Sequence, residues 1–102
     1  MLFRSEKNEC AAKAQLMIGE SYFHQQRYAD ALKAFLKVDI LHPIPQWQSL
    51  ALLEVGKCHE KLNERGEAIA AYKSLIQRFP TSPPAGQAKE RLGALDRTEA
   101  AR

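Results

Sequence analysis

The chain has 102 residues, 45% of them hydrophobic, and 15 Lys and Arg against 12 Asp and Glu leave a formal charge of +3. That length allows one small domain and excludes two ordinary ones, and the apolar fraction excludes a disordered chain. The charge is too mild to predict a nucleic-acid or acidic-lipid ligand, and no stretch approaches the roughly 18 consecutive apolar residues of a membrane-crossing helix.

From the N-terminus, "MLFRSEKNEC" holds one Arg and no apolar run. Residues 1–8 therefore read as a tail and not as a signal peptide. A first unit then spans 9–43. Ala14, Ile18, Tyr22 and Gln25 recur at helical spacing, "QQRY" at 25–28 breaks the pattern, and Ala31, Phe35, Val38 and Leu41 form a second helical face closed by Pro43. A second unit spans 44–80. Ala51, Val55, His59 and Leu62 precede "NERG" at 63–66, where Gly66 marks the expected helix stop; Ala68, Tyr72, Leu75 and Phe79 follow, closed by Pro80. The links "HPIPQW" and "FPTSPP" are proline-rich and read as stiff, extended connections. A last helix within 81–97 carries Ala88, Leu92 and Leu95 on one face and polar residues elsewhere, as a capping helix does, and 98–102 reads as a C-terminal tail.

Three hexapeptides punctuate this order. "AQLMIG", "ALLEVG" and "AKERLG" begin at residues 14, 51 and 88, each 37 after the last. Ala31 and Ala68, Leu32 and Ile69, Phe35 and Tyr72, Val38 and Leu75, and Pro43 and Pro80 keep the same interval. Such self-similarity marks stacked supersecondary units. A glycine inside a helix costs about 1 kcal/mol relative to alanine. Gly19, Gly56 and Gly93 in register therefore predict a neighbouring helix too close for a Cβ.

The helix–turn–helix unit, with Ile18-Gly19, Tyr22, Ala31, Phe35 and Pro43 in one copy and Leu52, Val55-Gly56, Ala68, Tyr72 and Pro80 in the next, resembles the tetratricopeptide repeat. The departures are Gln15 for a large residue, His59 for Tyr, and Val38 and Leu75 for Ala. The 37-residue interval and the "FPTSPPAGQAKERLG" ending are similar to bacterial cell-envelope members. The resemblance implies an all-α, right-handed superhelix of two helix pairs plus a capping helix. It also implies a protein-interaction scaffold and a cytoplasmic or envelope setting. The early start of repeat sequence suggests a piece of a longer protein.

The groove-lining positions of related repeats fall here on Lys13, Leu16, Met17, Glu20, Phe23 and His24, then Leu50, Leu53, Glu54, Lys57, Glu60 and Lys61, and finally Gln87, Glu90 and Arg91. Leu16, Phe23, Leu50 and Leu53 either floor a groove or pack against neighbouring repeats. A peptide or helix partner fits such a groove. Co-chaperone relatives hold a carboxylate with Lys and Asn; here those positions carry Leu16, Glu20, Glu54, Gln87 and Arg91, and only Arg91 suits a carboxylate. The alternative is self-association through the open first helix, involving Leu2, Phe3 and Met17.

No catalytic constellation emerges. Cys10 and Cys58 read as free thiols, and Cys58 and His59 are helix neighbours that point apart and cannot grip one metal. His59 reads as a packed, hydrogen-bonded side chain, His42 as a helix-end residue, and Trp47 as either a staple for its link or a contact. The expectation is a non-enzymatic module with no cofactor, metal or nucleic-acid ligand and no membrane insertion.

Overall fold

A computed structural model describes the backbone of residues 2–100 and the side chains of residues 9–97. Five helices follow one another: α1 (Leu2–His24), α2 (Tyr28–Leu41), α3 (Pro45–Lys61), α4 (Arg65–Arg78) and α5 (Pro83–Ala100). Helix α1 takes in residues assigned above to an N-terminal tail, and α5 runs on into those assigned to a C-terminal one. Among the described residues there is no strand.

Each helix packs on the next in the chain. In addition α1 meets α3 and α3 meets α5, whereas the α2 and α4 backbones stay further apart and are bridged by side chains, Arg78 to Asp39 at 3.0 Å. The array therefore bends toward α1, α3 and α5, which line its inner side. Its Cα atoms extend 53 × 31 × 16 Å, a slab only two helices deep.

Two turns of identical design reverse the chain. After α1, Gln26 N–H bonds Phe23 O at 2.9 Å and Arg27 N–H bonds Tyr22 O at 2.9 Å. After α3, Asn63 N–H bonds Glu60 O at 3.1 Å and Glu64 N–H bonds His59 O at 2.8 Å. This is the paired closure that satisfies the last carbonyls of a helix, and it needs one left-handed residue. Gln26 (φ 63°) and Asn63 (φ 61°) hold that place. Gly66 does not mark the stop: it lies in the first turn of α4. The links also differ from the expectation of extended segments. Pro45 and Pro83 each begin a helix, where a missing N–H costs nothing.

The core forms where the hexapeptides predict it, with one correction. The ring of Phe35 lies on Gly19, and a Cβ there would stand 2.5 Å from Cε1. The ring of Tyr72 lies on Gly56 in the same way, at 2.2 Å. Both rings are fully buried. Gly93 has nothing within 4 Å, so the third hexapeptide is not a close-packing point. Around Phe35 gather Leu16, Ala31 and Val38 of the first unit and Ala51, Val55 and Cys58 of the second. Around Tyr72 gather Leu52, Leu53, Ala68, Leu75 and Ala88. Trp47 packs against the first of these clusters, which gives it a structural role.

The seam of α1 is also displaced from the one expected. Ala12, Leu16 and Gly19 are buried, while Ala14 and Gln25 are exposed and Ile18 is 48% exposed. In unit two the equivalent of Ile18, Val55, is buried because α2 covers it; among the described residues no helix covers Ile18.

The glycines yield opposite predictions. Gly19→Ala and Gly56→Ala gain up to about 1 kcal/mol of helix propensity but force a buried ring to move, at about 1–3 kcal/mol. Both variants should melt at lower temperature. Gly93→Ala should melt a few degrees higher, since its space is open. Thermal unfolding followed by circular dichroism reads all three.

Candidate partner-binding groove

The inner face is made by α1, α3 and α5, and most of the predicted groove residues lie on it. Two do not remain available. Leu16 is 6% exposed and Leu53 2% exposed, and both belong to the core clusters. They are part of the fold and not a groove floor. Sequence spacing alone could not separate them from Phe23 and Leu50, which are half-buried.

Two further predicted contacts, Glu60 and Arg91, are occupied by each other. Arg91 Nε donates to Glu60 Oε2 at 2.8 Å and to the Tyr72 hydroxyl at 3.0 Å. The Tyr72 hydroxyl in turn donates to Glu60. Burial, then the hydrogen bond to Glu60, push the Tyr72 phenol well above its usual range; Glu60 likewise raises Arg91. This trio ties α5 to α3 and α4, and it removes Arg91 from any role as a carboxylate clamp. Sequence reasoning missed it, although Tyr72 in place of Phe35 was its signal.

The corresponding place one repeat earlier is open. Thirty-seven residues before Glu60 and Arg91 stand Phe23 and Glu54, which cannot form an ion pair. Glu20, Phe23, His24, Glu54 and Lys57 instead line a cleft of about 250 Å³ between α1 and α3. Lys57 Nζ lies 3.2 Å from Glu54 Oε1. The Phe23 ring meets Tyr28 edge-on, with centroids 5.1 Å apart. Met17, at 56% exposure, adds an adaptable apolar surface to the same helix. Lys13 and Lys61 are exposed toward the ends of this face.

A second and larger cleft escaped sequence reading. About 490 Å³ lies between the start of α3 and the α4–α5 link, bounded by Pro45, Leu50, Phe79 and Pro80 among others. The proline cluster at 80–84 was the only hint of it.

The polar groups of the two units serve packing. His59 Nδ1 sits 2.8 Å from Glu64 Oε1, joining the end of α3 to the start of α4. Cys58 is fully buried, and burial pushes its thiol from 9.0 up to about 12. Cys10 is exposed, and both thiols are free. Among the described residues no three His, Cys, Asp or Glu side chains converge as a metal site would require, and no helix is long and apolar enough to cross a membrane.

Comparison with known families agrees with this geometry. The tetratricopeptide repeat profile matches residues 13–43 and 50–82, one match on each helix pair. The chain belongs to the tetratricopeptide repeat family. Its repeats are generally protein–protein interaction modules and are typically non-catalytic. No curated protein and no solved structure matches the chain.

The lowered acidities of these two groups yield a pH prediction. Cys58 and Tyr72 both hold their protons more tightly folded than unfolded. Their stabilisation is complete below about pH 9, the unfolded thiol value, and is lost as pH rises toward the folded one. Unfolding free energy from urea titrations should fall between about pH 9 and 12. Cys58→Ala should flatten the lower part of that fall. An unchanged slope in the variant would contradict the assignment to the thiol.

Proposed function

We propose that this tetratricopeptide module is a non-catalytic scaffold that holds a peptide or helix of a partner protein in its inner groove. The open cleft between α1 and α3 supports this reading, because the equivalent place between α3 and α5 is closed by Glu60 and Arg91. The cleft offers an aromatic wall, Phe23, with charges of both signs at its rim. An amphipathic segment matches that chemistry: apolar anchors against Phe23, Leu50 and Met17, and polar contacts to Glu20, His24 and Lys57. Lys13 and Lys61 extend the polar rim. Of the positions that hold a chaperone carboxylate in related repeats, Glu20 and Glu54 are acidic, Leu16 is buried and Arg91 is paired with Glu60, which disfavours a C-terminal carboxylate as ligand.

The probe is a randomised peptide library displayed against the whole chain, with binding of the selected peptides measured by fluorescence anisotropy. Met17→Glu and Glu20→Lys lie on exposed positions and should leave the fold intact. Each should weaken the selected peptides about tenfold, or about 1.4 kcal/mol. Lys89→Glu, an exposed change on α5, should leave them unaffected. Peptides that bind both groove variants as tightly as the parent would refute the reading.

A further inference from the structure

The two units occupy equivalent places in the repeat but show solvent different surfaces. The exposed large apolar side chains among the described residues are Met17, Ile18, Leu36, Ile40 and Leu41, all in unit one. Their counterparts 37 residues on are Glu54, Val55, Lys73, Gln77 and Arg78. Four of these are polar or charged, so the fold does not require an apolar residue there. The fifth, Val55, is covered by α2.

Ile18 and Leu41 belong to one surface, the outer edge of α1 and α2. Ala11, Gln15, Ile18 and Tyr22 follow one another at spacings of four, three and four along α1; Asp30, Ala34, Lys37 and Leu41 do the same along α2. Each set forms a single stripe. The stripes lie side by side, since Gln15 donates to the Ala34 carbonyl at 3.2 Å. Between them runs an open cleft of about 280 Å³, lined by Gln15, Ile18, Tyr22, Asp30, Lys33, Ala34 and Lys37. It shares no residue with the groove cleft.

We propose that this edge is the interface of a two-fold dimer, with a second copy of the chain as its occupant. The edge carries charges of both signs, Asp30 together with Lys33 and Lys37, so each copy can offer an acid to a base of the other. Asp30 and Lys37 stand on one stripe, on either side of the small Ala34. A two-fold axis beside Ala34 sets the two α2 helices antiparallel, so Asp30 of each copy meets Lys37 of the other, with the two Lys33 side chains flanking the axis. Asp30 holds only an exposed pair with Arg27, at 2.8 Å, which leaves its carboxylate open to a second cation. Ile18, one turn from Gln15, is buried beside the axis, and Leu41 covers its far end. The opposite end of the array offers no such partner surface: α5 exposes Gln87, Lys89, Glu90, Asp96 and Arg97. A head-to-tail stack would have to bury those charges against the apolar edge.

Sedimentation equilibrium of the full chain over a hundredfold range of concentration, up to about 1 mM, tests the proposal. The mass should rise from 11.5 kDa to twice that value. Ile18→Glu should raise the dissociation constant at least tenfold while leaving helicity and melting temperature unchanged. Asp30→Lys should weaken the dimer, and adding Lys37→Asp to it should restore the affinity. A monomer at every concentration, a dimer indifferent to Ile18→Glu, or a ladder of larger species overturns the proposal. So does a failure of the double variant to recover, since the pairing across the axis predicts that recovery.

Discussion

The contact between an aromatic ring and a helix glycine sets the spacing of everything else. Phe35 on Gly19 and Tyr72 on Gly56 fix how closely the two helices of each unit approach. The same rings reach further. Phe35 also sits among Ala51, Val55 and Cys58 of the next unit, so one side chain joins a helix pair internally and joins it to its neighbour. Burying such a side chain contributes about 1.5–3 kcal/mol, a large share of the stability of a domain this small. The packing of the first helices against one another, and so the groove, follows from that spacing.

A single oxygen atom then makes the groove uneven. Tyr72 carries a hydroxyl where Phe35 has none. That hydroxyl reaches Glu60 and Arg91 and draws α5 against α3 and α4. The half of the inner face between α3 and α5 is thereby used for holding the last helix. Between α1 and α3 the equivalent residues, Phe23 and Glu54, have no such bond to make, and the space between them stays open. An open cleft and a capping contact are thus divided between two copies of one motif by which side chains can pair.

The ends of the array are unlike for a related reason. At α5 the outward positions are polar or small, and a glycine in register meets no ring. At α1 the outward positions keep the apolar character that unit two buries beneath α2. At this place in the repeat Val55 lies beneath α2, whereas Ile18 is half exposed.

The architecture was legible in the sequence because it depends on short-range regularities. The 37-residue interval, the small-to-aromatic matches and the prolines after each second helix are properties of the chain order, and they determine helix count, order and stacking. Less could be read of the site. Helical spacing placed Glu20, Phe23, His24, Glu54 and Lys57 on the inner face, and they share a cleft there. It placed Leu16 and Leu53 on the same face too, yet those are core. A helix turns about 100° per residue, so the boundary between a groove and a core position is a matter of a few ångströms set by the neighbouring helix. The same holds for Gly93, which matches Gly19 in register but receives no ring. It holds as well for Glu60 and Arg91, thirty-one residues apart, whose pairing depends on where α5 comes to rest. Local pattern is enough to say which residues face inward; only the tertiary structure decides which of them remain free, because that depends on what the rest of the chain brings against them.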